Sequence, residues 1–325
     1  MLNLNDITFN KRLGNLIDRG FEMPYVSYCH PLGKIKNNTM RKIIYVVLIV
    51  GFIYSCTENQ SSINESTTIE KSSPDRYVDI GTHRVHINDF GKGSPVSVFV
   101  TGTGGDISQW NRQVHEIDKH TRVFVYDRAG LGKTESYSSD RSLKGMVDEL
   151  YLTLEKENIK GPIILVAHSM GGAIIRYYQH LYPENVVGMV FIDALGYDFA
   201  GRYDDFPEQG IKWSNEIDSM SHVYQGGVKD EMQFLKHRDE RRDTFLQIGY
   251  PKNIPVKIIL SMLGVEGEVG EQYIKKQDSL YSEMAANDPL IDLIKTNKSG
   301  HFIHWYEPRL VNETIIDLIK EVRSE

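Results

Sequence analysis

Pro162-Ile163-Ile164-Leu165-Val166-Ala167-His168-Ser169-Met170-Gly171-Gly172-Ala173 reads as an apolar β-type run that ends in a small residue, passes through His-Ser-Met, and meets two glycines ahead of a helical segment. A strand turning that sharply into a helix holds its apex residue, here Ser169, in a strained backbone conformation. The hydroxyl then stands clear of the sheet, above the N-terminus of the following helix. Small residues two before and two after the serine meet a steric need, because strand and helix backbones nearly touch there. Ala167 and Gly171 meet it. The pattern is G-x-S-x-G with Ala in the first place, where Gly is commoner. Taken alone, the pentapeptide fits an ordinary buried strand with a Gly-rich turn equally well. Its neighbours decide against that reading.

Upstream, Val96-Ser97-Val98-Phe99-Val100 is an apolar strand leading into Thr101-Gly102-Thr103-Gly104-Gly105, a turn whose N–H groups can face a cleft. Next, the strand Arg122 to Asp127 runs into the Gly-spaced loop Arg128-Ala129-Gly130-Leu131-Gly132-Lys133-Thr134. Far downstream, Ser299-Gly300-His301-Phe302-Ile303-His304 precedes Glu307-Pro308 and a final amphipathic helix. On these residues the chain resembles the α/β-hydrolase superfamily, close to its small esterase-like and peroxidase-like members. The resemblance covers roughly residues 77 to 322. Its motifs are specific in combination and only moderately so singly.

The resemblance implies a catalytic serine, a histidine and an acid. Ser169 is the expected nucleophile, a weak one until a base takes its proton. His301 is the expected base, in a loop just after a last strand at Asp292 to Lys295. His304, beside Trp305, reads as structural, and His168 as packing that points away from the serine. His301 and His304 have no third ligand nearby, so no metal and no cofactor are expected. The oxyanion donors would be the N–H groups of Met170, from the elbow geometry, and of Thr103, from the resemblance alone. Thr101 stands where relatives carry His.

The acid is the gap. Family members usually carry Asp a few residues after the strand equivalent to Val256–Leu260, but Ser261-Met262-Leu263-Gly264-Val265-Glu266-Gly267-Glu268 has none. Glu266 is the narrowly preferred substitute. Asp193, ending the preceding strand, is the alternative, since some superfamily members take their acid from that place. A turn-capping role for Asp193 stands beside both. Asp127 and Arg128 are expected to brace the Gly-rich loop.

The rest of the chain reads as one α/β domain with a mostly parallel, doubly wound sheet and an inserted helical cap. A hairpin at Tyr77–Ile80 and Arg84–Asp89 is followed by strands at 95–100, 122–127, 162–167, 186–192 and 255–261. Helical patterns lie between most of them, one running from Leu143 to Glu157 behind the N-cap Ser142. Alternating strands and helices imply a parallel sheet covered on both faces, with its site at the C-terminal strand ends. Residues 197 to 250 break the alternation, polar and aromatic, and are the expected cap.

At the other end, Met40-Arg41-Lys42 precedes an apolar run from Ile43 to Tyr54, then Ser55-Cys56. The order basic, apolar, small marks a signal peptide, and the run is shorter than the ~20 residues a bilayer requires. Ile53-Tyr54-Ser55-Cys56 resembles a bacterial lipobox, in which the cysteine takes lipid, although Tyr54 fits it poorly. An uncleaved signal anchor is the alternative. The division expected is an upstream extension at 1–39, a signal peptide at 40–55, a disordered tether at 56–74 and the catalytic domain at 75–325. The Ser, Thr, Asn and Glu content of 57–74 suits a tether. The location implied is a bacterial cell envelope, lipid-anchored at Cys56.

Cys29 and Cys56 are the only cysteines, so the folded part offers neither a disulfide framework nor a thiol nucleophile. The net charge is −7; residues 1 to 55 hold three acids against seven bases, a net of +4, leaving −11 for the remainder. That balance argues against nucleic acid and against electrostatic binding to anionic lipid. Two functions follow. The first is a serine hydrolase cleaving a small carboxylic ester or related acyl compound. The second is a non-catalytic binding protein that keeps the pocket and has lost the acid.

Overall fold

The computed structural model describes residues 75–136, 141–194, 227–229, 231, 244–263 and 268–324. The expected extension, signal peptide and tether lie outside these residues, as does most of the expected cap. Eight strands form one sheet in the order β1-β2-β4-β3-β5-β6-β7-β8. They are β1 (Arg76–Asp79), β2 (Arg84–Phe90), β3 (Val96–Val100), β4 (Val123–Tyr126), β5 (Ile163–His168), β6 (Val186–Ile192), β7 (Val256–Ser261) and β8 (Ile291–Thr296). β2 pairs antiparallel with β1 and with β4. Every other pairing is parallel. The helices are α1 (Asn111–Ile117), α2 (Leu143–Lys156), α3 (Gly171–Leu181), α4 (Glu268–Asn287), α5 (Ile303–Tyr306) and α6 (Pro308–Ser324).

The central strands are apolar throughout because both faces of the sheet are covered, as parallel sheets require. Successive side chains alternate between two cores. Ile163, Leu165 and Ala167 of β5 pack on one side with Met146, Leu150 and Leu154 of α2 and Ile174 and Tyr178 of α3. Ile164 and Val166 pack on the other with Val114 and Ile117 of α1 and Val311, Ile315 and Leu318 of α6. Each such fully buried Val, Leu or Ile stabilises the fold by about 1.5–3 kcal/mol. Ser142 caps α2 as its sequence suggests, its side chain accepting from the Gly145 N–H.

β5 sits between β3 and β6, so its C-terminal end lies near the middle of the sheet. Between β6 and β7, residues 227–229 and 231 are helical, and so are 244–248. Arg176 of α3 holds the exit from this insertion. Its guanidinium donates to the carbonyls of Phe245 and Gly249 and lies between the rings of Phe245 and Tyr250, 4.8 and 4.6 Å from their centroids. Among the described residues no helix is long and apolar enough to cross a membrane.

Candidate active site

Ser169 occupies the turn between β5 and α3 with φ +52°, the left-handed conformation that the sequence pattern requires. The reason for Gly171 is visible. A Cβ there would lie 2.6 Å from the Val100 carbonyl oxygen and 2.8 Å from that of Thr101, so the helix can approach β3 only without a side chain. Gly102 faces the serine from β3's end: a Cβ there would meet Ser169 Cβ at 3.1 Å and His168 Nδ1 at 2.9 Å. The turn 101–105 therefore lies directly against the elbow.

The carboxylate on His301 is that of Asp193. Its Oδ2 accepts from His301 Nδ1 at 2.7 Å. Its Oδ1 accepts from the Ser261 N–H, at the end of β7, at 3.0 Å. Asp193 follows β6 with φ +41°, and its own N–H donates to the Ile259 carbonyl. Its carboxylate thus reaches across the end of β7 to the loop that follows β8. Of the two carboxylates weighed from the sequence, this contact belongs to Asp193; Glu266, the narrowly preferred one, lies outside the described residues. The turn-capping alternative is present too, in the bond from Ser261, and the same carboxylate serves both.

The loop carrying His301 is held from behind. Ser261 Oγ donates to the Ser299 carbonyl at 2.9 Å, and Ser299 Oγ and Thr296 Oγ1 both donate to Glu307. From α1, Gln113 Nε2 donates to the His304 carbonyl and Arg112 to that of Trp305. His304 is buried against the rings of Trp110 and His168. Burial, reinforced by His301, lowers its pKa to about 3, so it is neutral.

His168 does more than pack. Its Nε2 lies 3.0 Å from the His301 carbonyl, an acceptor only, so this nitrogen carries the proton. Its Nδ1 then accepts from Gln109 Nε2 at 2.9 Å, while Gln109 Oε1 accepts from the Gly102 N–H at 3.0 Å. Burial first, and then His304 and His301, keep its pKa well below the usual histidine value. A neutral imidazole thus ties the turn at 102 to the loop at 301. Gln109, in the 3-10 turn Ile107–Trp110, carries no sequence motif and was not expected in this place.

Two more N–H groups of the turn 101–105 are bonded. Gly104 N–H donates to Glu231 Oε2 at 2.6 Å and Gly105 N–H to the Gly102 carbonyl. The N–H groups of Thr103 and Met170 have no acceptor among the described residues. Asp127 braces its own loop through the Lys133 N–H, as expected, and also holds the Ile107 N–H. Arg128 holds the glycine-rich turn 101–105. It reaches the carbonyls of Thr101 and Gly102 at 2.9 and 2.7 Å, and its Nε donates to Glu231 Oε1 at 2.5 Å. Burial works most strongly against its charge, but Glu231 together with Tyr126 and Glu149 outweighs it, so its pKa is raised. Among the described residues no three His, Cys, Asp or Glu side chains gather to hold a metal ion.

A serine on a strained elbow, a histidine oriented by a carboxylate, and N–H groups left open on facing turns can carry out nucleophilic acyl transfer. The sheet that positions them is the α/β-hydrolase fold. The family profile described as alpha/beta hydrolase fold matches residues 95–239. That match spans less than half of the chain; what it and the solved structures establish together is the α/β-hydrolase fold. It is 28% identical over 225 residues to the uncharacterized protein YqjL of Bacillus subtilis (strain 168), spanning 68% of this chain and 82% of that one. It is 29% identical over 145 residues to the 2-hydroxy-6-oxo-6-(2'-aminophenyl)hexa-2,4-dienoic acid hydrolase of Metapseudomonas resinovorans, spanning 43% of this chain and 47% of that one. A thermophilic esterase from Thermogutta terrifontis superposes with a TM-score of 0.56 at 17% identity, over 76% of this chain and 99% of its own.

Proposed function

We propose that the protein is a serine hydrolase that cleaves a small carboxylic ester, or a related acyl compound, through an acyl-enzyme. Ser169 Oγ attacks the acyl carbon while His301 takes its proton. Asp193 holds the imidazole in the tautomer with Nδ1 protonated and stabilises the imidazolium that forms. The N–H groups of Thr103 and Met170 bind the oxyanion of the tetrahedral intermediate. His301 then returns the proton to the leaving oxygen, and water attacks the acyl-enzyme by the same steps in reverse. The observation that carries the reading is the Asp193 carboxylate on His301 Nδ1. The non-catalytic reading supposes that the acid has been lost, and that contact speaks against it.

A fluorophosphonate probe tests the proposal. The wild-type domain should be labelled at Ser169 and should turn over members of a panel of esters, amides and thioesters. Ser169→Ala should be folded, unlabelled and inactive, with turnover down several orders of magnitude. An unlabelled wild type, or a Ser169→Ala variant of near-normal activity, removes the mechanism.

For location, we propose a lipid anchor on Cys56, on the ground of the basic-apolar-small-Cys order of residues 40–56 and the polar run behind it. The acyl substrate would then be met at a membrane surface.

A further inference from the structure

Thr103 owes the orientation of its N–H to its neighbours. The peptide joining Gly102 to Thr103 carries the Gly102 carbonyl on one side and the Thr103 N–H on the other, because a trans peptide sets the two in opposite directions. Gly102 O is held by Arg128 Nη2 at 2.7 Å and by the Gly105 N–H at 3.1 Å. Fixing that carbonyl on Arg128 sends the Thr103 N–H the other way. One peptide further along, the Gly104 N–H is held by Glu231 Oε2. Thr103 is thus clamped between two bonded peptides.

Arg128 and Glu231 are one unit. Both side chains are wholly buried, and Nε meets Oε1 at 2.5 Å. The guanidinium's remaining donors go to Thr101 and Gly102. The carboxylate's other oxygen goes to Gly104. The segment bearing Glu231 lies close on the turn: Val228 Cγ1 is 3.4 Å from where a Cβ on Gly104 would be, and Gly227 meets the Gly130 backbone with no room for side chains. Glu231 comes from the insertion between β6 and β7, more than a hundred residues from the turn it holds.

We propose that Glu231 is a positioning residue, through which the inserted segment completes the oxyanion hole by locking Arg128 and the Gly104 N–H, and so the Gly102–Thr103 peptide. This rests on the serine-hydrolase reading. It adds that the hole is not built by the sheet domain alone.

The test is Glu231→Gln, measured with p-nitrophenyl acetate and with phenylboronic acid, which forms a tetrahedral adduct on an active serine. The amide keeps an acceptor for Gly104 but sets an N–H₂ against Arg128. Loss of an oxyanion donor costs about 10²–10³ in kcat; a displaced donor should cost roughly 10- to 100-fold. The expected result is that fall in kcat with KM within about twofold, and a boronate affinity weakened by a similar factor. Glu231→Asp, which keeps the charge, should recover part of both. If Glu231→Gln does not fold, Arg128→Met/Glu231→Met removes the pair without leaving a buried charge, and the same joint loss is expected there. A folded variant with kcat and boronate affinity unchanged, or a change in KM alone, overturns the proposal. Failure of the parent reading looks different: the wild type itself would neither react with a fluorophosphonate nor turn over the ester.

Discussion

Asp193→Asn separates orientation of the base from everything else in the site. In the native protein Oδ1 accepts from the Ser261 N–H and Oδ2 from His301 Nδ1, so both neighbours are donors. An asparagine has only one acceptor end. The Ser261 N–H belongs to the backbone at the end of β7 and cannot change its role, so the amide oxygen must face it. The amide N–H₂ then takes the place of Oδ2, 2.7 Å from the histidine nitrogen. Nδ1 must become an acceptor, and the one proton of the neutral ring moves to Nε2. A protonated Nε2 cannot take the serine's proton. Loss of the right tautomer in this way costs about 10⁴ in kcat, or roughly 5 kcal/mol of transition-state stabilisation. KM and the thermal midpoint should change little, since the amide fills the same space and keeps the bond to Ser261. Steady-state hydrolysis of p-nitrophenyl acetate near pH 7.5 measures it, with Glu266→Gln as the control that should stay close to wild type. Activity of Asp193→Asn within tenfold of wild type, alongside a large loss in Glu266→Gln, would refute the argument.

Two further outcomes are expected. His304 has its folded-state pKa lowered to about 3 by burial. Above about pH 6.5 it is neutral folded or unfolded and contributes nothing; below, only the unfolded chain takes the proton, so stability falls as pH drops towards 3, by about 2 kcal/mol at pH 5. His168 acts in the same direction. Urea unfolding at pH 7 and 5 should show the loss in wild type and a smaller loss in His304→Leu; an equal loss in both would show that His304 is not its source. For the anchor, radiolabelled fatty acid should enter the wild-type protein in bacterial cells and not Cys56→Ser, which should leave the membrane fraction, because stable attachment needs about two chains or an equivalent second signal. Membrane retention of an unlabelled Cys56→Ser protein would point instead to an uncleaved apolar anchor.

The sheet was legible because its central strands are buried on both faces and so read as unbroken apolar runs. The predicted 162–167 became Ile163–His168, and 186–192 became Val186–Ile192. Gly171 was legible for the same kind of reason, since backbone contact admits no side chain. The helix Glu268–Asn287 was not, because polar and charged residues fill most of its positions and no continuous apolar stripe marks it. The carboxylate on His301 could not be chosen from the sequence, for a geometric reason. β6 and β7 are adjacent and parallel, so a carboxylate after either one can reach the loop after β8. Position along the chain does not choose between them. What chooses is the positive φ of Asp193, which turns the chain at the end of β6, and the Ser261 N–H waiting on β7. Neither has a sequence signature. The Arg128–Glu231 pair spans 103 positions, and its acidic end falls in a stretch without period.

These unread contacts share a property that bears on the chemistry. Most of them end on backbone: Gln109 and Arg128 on Gly102, Glu231 on Gly104, His168 on the carbonyl of His301, Ser261 on that of Ser299. Donors fixed before the reaction need no reorganisation when charge develops, which is what makes an oxyanion hole effective. Fixing them through backbone also explains which residue types the turn can hold. Thr103 supplies only its N–H to the proposed hole, so the resemblance can lose the usual histidine at 101 without losing the donor at 103. Gly102 has no such freedom. A side chain there would collide with His168 Nδ1 at 2.9 Å, the same atom that receives Gln109. Turn, elbow and the His301 loop would then come apart together, because one neutral imidazole joins all three.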